Sequence, residues 1–203
     1  MNLIPAVSTL DYMFDEFNKK FFSSSLEKPM IIIQTAGKGK RLPAGWFTLQ
    51  KVWNKGEEEH YHEINISAEY LHRSIEETAS TLIHEMVHLY NFVAEIKDTS
   101  NNFVYHNKKY KTEAEKHGLI VEHMEIYGWA STSLNFEAVE FLKTLNIDDS
   151  VFKCFREIQR KPKKKLEKWY TFVCQCDEKI KSKNEALEAV CSVCGSEFIR
   201  KEK

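Results

Sequence analysis

Apolar residues recur at helical spacing near the start of the chain and at strand spacing just after it. In residues 8–22 they lie three to four positions apart behind a serine and a threonine, which predicts a capped amphipathic helix. Pro29 precedes MIIIQT, whose β-branched residues predict a buried strand. GWFTLQKVW from residue 45 and YHEINIS from residue 61 alternate well enough to predict two more strands. We therefore expect a small, mostly antiparallel sheet.

The longest regular pattern is SIEETASTLIHEMVHLYNFVAE, residues 74–95. Its apolar positions form one stripe at the helical period, and Ser74 and Glu77 have the spacing of a capping box. This pattern predicts a helix of about six turns at 3.6 residues per turn. Three further segments predict helices, the last two more weakly: 107–127, 135–145 and 150–159.

Charge is distributed unevenly along the 203 residues, although the net charge is only −1. Residues 1–150 carry 15 Lys+Arg and 22 Asp+Glu, whereas residues 151–203 carry 14 and 8. The basic tail points to an anionic partner, first of all nucleic acid, while a solvated lysine run would give the same composition. The run at 160–168 predicts a basic linker between a domain over 1–159 and a small module over 169–203.

Several protein classes are disfavoured by the sequence. Asp11, Asp15 and Glu16 interrupt any signal-peptide pattern, and no apolar run approaches the ~18 residues that a membrane span needs. The five cysteines are odd in number and clustered, which fits metal ligation in a reducing cytosol better than a disulfide framework. We expect an intracellular protein without a membrane partner, located in the cytoplasm, with the nucleoid or nucleus as the alternative.

The stretch TLIHEMVHLYN carries His84, Glu85 and His88. On a helix, residues four apart present both imidazoles to one point, while Glu85 lies about 100° around the axis. Two histidines then bind zinc, and the glutamate takes a proton from a zinc-activated water. A solvent-exposed helix would carry the same residues without function. The apolar neighbours of the motif favour the metal hypothesis, because burial of unpartnered polar groups is costly.

A catalytic zinc site needs a third protein ligand. The extended HExxHxxGxxH motif is absent, because Asn91 and Ala94 occupy the places of its glycine and third histidine. The ligand must therefore come from elsewhere in the chain. The candidates are His60, His62, His106, Glu113, His117 and His123.

Four of the cysteines form two pairs near the C-terminus. Cys191 and Cys194 with the following Gly195 have the spacing of a zinc knuckle. Cys174 and Cys176 form a CxC pair, whose side chains share one face of a strand. The pairs predict a four-cysteine structural zinc site, and the alternative is a degenerate ribbon held by apolar residues.

The order FNKKFFSSSL, AGWF, EINIS, TLIHEMVH and YHNKKYKTEAEKHGL resembles the SprT-like zinc metalloprotease family, which is Spartan-related. In that family a histidine of an HGxxF segment joins the two helix histidines, and the segment aligns with residues 106–110. The resemblance thus nominates His106, with Asn107 in place of glycine and Tyr110 in place of phenylalanine. It implies an α+β zincin-like domain, with a small antiparallel sheet packed on the HExxH helix, and a C-terminal zinc ribbon.

Together these patterns predict an intracellular zinc-dependent peptidase that acts on protein substrates, with Glu85 as general base, one catalytic zinc and one structural zinc. The resemblance and the basic tail extend the prediction to DNA-associated substrates. Two alternatives are a nucleic-acid-binding or scaffold protein with a non-catalytic zinc site, and a hydrolase of a non-peptide amide. The DNA contacts would come from Lys161, Lys163, Lys164, Lys165 and Lys168.

Overall fold

The structure, a computed structural model, describes residues 3–37, 42–56, 58–158 and 167–201. The chain divides into two compact units, Met1–Ile158 and Gln159–Lys203. The described part of the first unit has four α-helices: α1 Ile4–Phe21, α2 Ile75–Val93, α3 Lys108–Lys116 and α4 Phe136–Thr144. Its strands are β1 Met30–Gln34, β2 Gly45–Lys55, β3 Glu59–Ser67, β4 Thr99–Ser100, β5 Tyr105–His106, β6 Leu119–Met124 and β7 Gly128–Leu134. The class is mixed α+β, as predicted.

The first sheet contains the three strands predicted from the alternating segments, in the order β1-β3-β2. β2 runs antiparallel to β3, but β1 runs parallel to it, so the expectation of a mostly antiparallel sheet is only half right. Two parallel strands must be joined by a long connection, and here the connection between β1 and β3 contains β2. β2 lies at an edge of this sheet.

The second sheet, in the order β4-β5-β7-β6, was not predicted. The predicted helix over 107–127 is wrong beyond Lys116, because Gly118 adopts a φ of +92° and ends it. The residues that follow alternate between buried and exposed at Leu119, Ile120 and Val121, which is the period of a strand. β6 pairs with β7 in an antiparallel ladder.

Two other helix predictions have different outcomes. The segment 135–145 forms α4, with Asn135 as its N-cap. In the segment 150–159, whose last residue lies outside the described ranges, the described part 150–158 contains only the end of a short 3-10 turn over Asp149–Phe152, and residues 153–158 are irregular. α1 begins at Ile4 with a proline in its first turn, so it starts before the predicted cap.

α2 lies at the centre of the first unit. Its capping box forms as predicted, with the Ser74 hydroxyl accepting from the Glu77 amide and the Glu77 carboxylate accepting from the Ser74 amide. The helix contacts β2 and β3 of one sheet, β6 and β7 of the other, and all three remaining helices. Such contacts explain why Leu82, Ile83 and Met86 are completely buried.

The second unit has a small antiparallel sheet in the order β10-β8-β9. Its strands are β8 Tyr170–Val173, β9 Lys179–Ser182 and β10 Ile199–Arg200. Phe172 of the central strand β8 is buried. Most of the predicted linker 160–168 lies outside the described residues, which end at 158 and resume at 167. Within the described ranges, no helix has the length and apolar character to cross a membrane.

Candidate metal centre

His84 and His88 lie on one face of α2, a single turn apart. The position of this face is fixed because the capping box sets the start of the helix, and because side chains around most of the helix are buried in the core. The ring centroids of the two histidines are 5.0 Å apart. The spacing of the motif therefore produces the shared face that the sequence predicted.

The third histidine comes from the second sheet. His106 ends β5, and its amide donates to the Tyr127 carbonyl at 2.9 Å. β5 pairs in parallel with β7 at Gly128, where an added Cβ would stand 2.2 Å from the His106 carbonyl oxygen. A glycine at this position thus permits the close backbone approach that brings His106 over α2.

The three imidazoles converge through their Nε2 atoms. His106 Nε2 lies 3.2 Å from that of His84 and 3.0 Å from that of His88. Burial lowers the pKa of His84 well below its ordinary value and that of His106 to about 4, with nearby His88 adding to both shifts. The rings of His84 and His106 are therefore uncharged at neutral pH, and their nitrogen lone pairs are available to a cation.

This donor set fits a divalent metal. His84, His88 and His106 form one of two groups of potential metal ligands in the described chain, with ligand atoms within 4.8 Å of one another. Three imidazoles are the ligand set of several catalytic zinc sites. His106 Nδ1 is buried without a hydrogen-bond partner, so hydrogen bonding at that atom does not account for the position of this ring.

The other side of each helix imidazole has a polar neighbour. His84 Nδ1 lies 3.2 Å from Thr132 Oγ1, and His88 Nδ1 lies 2.7 Å from Asp98 Oδ2. Burial acts to raise the pKa of Asp98, but hydrogen bonds from His88 and Asn91 outweigh it and leave the pKa below its ordinary value. Asp98 is consequently a carboxylate at neutral pH.

Tyr110 packs against all three rings. Its centroid is 4.8 Å from that of His84 and 4.7 Å from those of His88 and His106. Asn107 N-caps α3 by accepting from the amides of Lys109 and Tyr110, which fixes the start of this helix. The aromatic residue of the family segment thus forms an apolar support beneath the imidazoles.

Glu85 faces the space beside the three histidines. Its side chain is almost fully buried, and burial raises its pKa to about 7 despite the opposing effect of His88. Gly45 of β2 passes close by, since a Cβ there would lie 3.2 Å from Glu85 Cγ and 2.8 Å from Thr81 Cγ2. A carboxyl group with such a pKa can both accept and return a proton near neutral pH.

A cleft of about 1660 Å³ opens over this group. One wall is the start of β2, including Trp46 and Phe47, and the floor is the face of α2 that carries the three motif residues. Phe92 and Phe103 form part of another wall and are 44% and 67% exposed. The edge position of β2 leaves one side of this strand without a partner strand in the described sheet. The cleft is large enough for an extended peptide.

The remaining candidates for the third ligand lie elsewhere. His117 stacks on Phe22 with centroids 4.2 Å apart, and its Nδ1 contacts the Glu113 carbonyl oxygen at 2.7 Å. The carboxylate of Glu113 pairs with Lys116 at 2.8 Å. His123 contacts Tyr105 and Trp129 instead.

The two upstream histidines also stay outside the cluster. His60 is exposed and contacts Asn54 Oδ1 through its Nδ1 at 2.5 Å. His62 is buried between Phe47 and Phe92, with ring centroids 5.4 and 5.3 Å away. Phe92 at the end of α2 therefore covers this strand histidine.

Asp98 and Thr132 were not among the site residues predicted from the sequence. Asp98 lies in the loop after α2, and Thr132 lies in β7, 48 positions beyond His84. An acidic residue shortly after the motif is a weak signal for Asp98. Thr132 has no local signal, because only the packing of β7 on α2 brings it to His84.

The four clustered cysteines converge in the second unit. Their sulfur atoms lie within 4.8 Å of one another, and Cys174 and Cys191 are buried. Asp177 has a φ of +65° and Gly195 a φ of +71°, so both pairs turn in the left-handed region. The aspartate thus makes the turn for which glycine is the usual residue. The group is Cys174, Cys176, Cys191 and Cys194, a ligand set that fits structural zinc.

Only part of the predicted DNA-binding segment is described. Lys161, Lys163, Lys164 and Lys165 lie outside the described residues. Lys168 is described, and its Nζ lies 4.9 Å from the ring centroid of Tyr170. Trp169 is 56% exposed and has Lys183 Nζ at 5.2 Å from its ring. An exposed aromatic ring with a lysine beside it is thus present at the start of this unit.

Comparisons with known proteins identify the family. No curated protein and no solved structure gives a significant match to the chain. The SprT-like family matches residues 10–127, a span that covers more than half of the chain and includes all three converging histidines. The chain therefore belongs to the SprT-like family.

Proposed function

We propose that this protein is a zinc metallopeptidase of the SprT-like type. The observation that carries the proposal is the convergence of His84, His88 and His106 beside the buried Glu85, on the floor of an open cleft. Membership of the SprT-like family supports a metalloprotease-type activity. Two of the three ligands and the base come from one helix, so the centre is held on a rigid element.

The three histidines would hold the metal through their Nε2 atoms. When bound there, zinc supplies Lewis acidity that makes water a better nucleophile near neutral pH. The carboxylate of Glu85 accepts a proton from the attacking water and returns it to the leaving amine. The buried surroundings of Glu85 favour both transfers, because its pKa of about 7 is close to the operating pH.

The substrate would lie along the cleft as an extended peptide. β2 has a free edge there, and its residues from Gly45 to Gln50 line the cleft. Backbone hydrogen bonds to such an edge hold a peptide independently of its sequence, while Phe47 and Phe92 offer apolar contacts to its side chains. Broad sequence preference is the expected consequence.

Substituting Glu85 tests the catalytic role. Glu85→Gln is expected to keep the fold and the bound zinc but to lower kcat by at least about 10²-fold, since it removes general-base catalysis. Glu115→Gln, an exposed carboxylate on α3, is the matched control and should retain full activity. Zinc content, circular dichroism and cleavage of an unfolded protein substrate are measured on each. A wild-type protein that binds zinc and cleaves nothing would instead support a binding or scaffold role.

The second part of the proposal is that the substrates are associated with DNA. Its support is the basic composition of residues 151–203 and the exposed Trp169, whose ring can stack on an unpaired base. Contacts would be made to backbone phosphates by Lys161, Lys163, Lys164, Lys165 and Lys168.

A salt series tests the DNA partner. Changing Lys163, Lys164 and Lys165 to Glu should weaken binding and reduce the log–log salt slope by about 0.7–0.9 for each lost phosphate contact. The control exchanges three scattered exposed lysines for glutamate and so has the same net charge: Lys55, Lys143 and Lys153. Binding to single- and double-stranded DNA is measured for both. Equal losses in the two variants would reduce the effect to overall charge and refute a dedicated segment.

A further inference from the structure

Asp98 connects the helix of the motif to the segment that carries the third histidine. Its Oδ2 accepts hydrogen bonds from Asn91 Nδ2 at 3.0 Å and lies 2.7 Å from His88 Nδ1. Its main-chain carbonyl accepts from the Asn107 amide at 2.9 Å, directly after His106. Asp98 therefore contacts His88 of α2 through its side chain, and it contacts Asn107, the neighbour of His106, through its backbone.

We propose that Asp98 is a positioning residue that fixes the tautomer and orientation of His88 and so sets the affinity of the histidine centre for zinc. The inference rests on the proposed zinc function of this centre. A neutral imidazole carries one N–H, and an ionised carboxylate only accepts. With the proton on Nδ1 and donated to Asp98, the lone pair of His88 Nε2 faces the other two histidines.

The surroundings of Asp98 hold its carboxylate in one place. Its side chain is 12% exposed, and Asn91, which donates to the same oxygen, is completely buried. The loop of Asp98 is held as well, because the Ile96 amide donates to the Asn91 carbonyl at 2.7 Å and the Asn107 side chain donates to the Lys97 carbonyl at 2.9 Å. Neither the carboxylate nor the ring of His88 has freedom to turn without breaking these bonds.

The two helix histidines differ in the strength of this support. His84 Nδ1 has the neutral hydroxyl of Thr132 at 3.2 Å, whereas His88 has a charged partner at 2.7 Å. Hydrogen bonds to ionised groups are shorter and roughly twice as strong as neutral ones. Loss of Asp98 should therefore weaken metal binding more than loss of the Thr132 hydroxyl.

The test measures zinc affinity and the tautomer of His88 in the full-length protein. Zinc-free wild type, Asp98→Ala, Asp98→Asn and Thr132→Val are titrated with zinc against a chromophoric chelator. Asp98→Ala should raise the Kd of the histidine centre about 10–100-fold while the cysteine centre keeps its Kd. Asp149→Asn repeats the Asp98→Asn change at an exposed site and should leave both values unchanged.

Nitrogen chemical shifts of the imidazoles at pH 8 report the tautomer directly. Wild type should show the His88 proton on Nδ1, and Asp98→Ala should show a substantial fraction on Nε2. Asp98→Asn keeps the volume and removes the charge, so it carries the test if circular dichroism shows that the alanine variant does not fold. The proposal would be overturned if His88 is protonated on Nε2 in wild type. It would also be overturned if the folded Asp98 variants bind zinc at the histidine centre with a Kd within twofold of the wild-type value.

These readouts do not depend on turnover. A protein that binds zinc with the expected dependence on Asp98 but cleaves no peptide would contradict the peptidase proposal and leave the role of Asp98 intact. Conversely, full peptidase activity with unchanged zinc affinity in Asp98→Ala would support the enzyme and overturn the role of Asp98.

Discussion

Replacing Glu69 with glutamine is expected to destabilise the first unit strongly at neutral pH and less in acid. The carboxylate of Glu69 is fully buried and accepts from Thr35 Oγ1 at 2.6 Å, the Ala36 amide at 3.1 Å and Ser67 Oγ at 2.8 Å. Arg156 adds an ion pair at 2.9 Å. These partners come from the ends of β1 and β3 and from the end of the unit, so one carboxylate holds three segments together.

The size of the effect follows from the pKa of Glu69. Burial acts to raise this pKa, but the hydrogen bonds from Thr35, Ala36 and Ser67 outweigh it and lower the pKa from 4.5 to about 2. At 1.36 kcal/mol per pKa unit, the difference corresponds to about 3 kcal/mol of stability. Because the folded-state pKa is depressed, this stability is fully present well above pH 4.5 and disappears as the pH falls through 2.

Urea unfolding followed by far-ultraviolet circular dichroism measures the effect. The free energy of unfolding of Glu69→Gln should be lower than that of wild type by about 3 kcal/mol at pH 7 and by about half as much at pH 3. Comparing the two proteins at each pH removes the effects of acid that they share, including loss of any bound metal. Glu122→Gln, an exposed carboxylate, should change stability by less than about 0.5 kcal/mol at either pH.

Arg156 separates the ion pair from the buried hydrogen bonds. Its side chain is 48% exposed, so Arg156→Gln should cost only about 1 kcal/mol. A loss as large as that of Glu69→Gln would assign the stability to the ion pair. A Glu69→Gln effect that stays constant between pH 7 and pH 3 would show that ionisation of Glu69 does not supply this stability.

Three further predictions concern the metal centres. His106→Ala should remove zinc from the histidine centre and leave zinc at the cysteines, as measured by elemental analysis before and after mild chelation; full occupancy would exclude His106 as a ligand. Cys191→Ser should show the opposite pattern and lower the thermal stability of the second unit, while an unchanged zinc content would speak against a four-cysteine site. Gly128→Ala should destabilise the fold and weaken zinc binding at the histidines, because its Cβ would lie 2.2 Å from the His106 carbonyl oxygen. Gly56 is the control, because its φ of +72° is close to the +67° of Gly128 but the space around it is open. Gly56→Ala should lower the free energy of unfolding by only about 1 kcal/mol and leave zinc binding intact.

Local patterns in the sequence are enough to specify several parts of the molecule. The capping box and the apolar stripe of residues 74–95 specify α2, and the spacing of His84 and His88 puts both on one face of it. The three strands of the first sheet, all of which follow Pro29, were likewise predictable from alternation and β-branched residues. Such features need no distant partner to be recognised, because period and capping act within a few residues.

Long-range packing selects the distant residues that join this helix. Local pattern left six candidates for the third ligand, and the family resemblance chose His106 before the pairing of β5 with β7 at Gly128 brought it to α2. The helix predicted over 107–127 failed for a related reason: the strand after Gly118 is stabilised by β7, a partner that lies beyond it in the chain. The burial that raises the pKa of Glu85, and the contact of Asp98 with His88, likewise exist only once the sheets have packed on α2. The local sequence thus specifies the helix and its three motif residues. Long-range packing brings the remaining residues of the site to them, and it could not be predicted because non-local contacts have no signature in local periodicity.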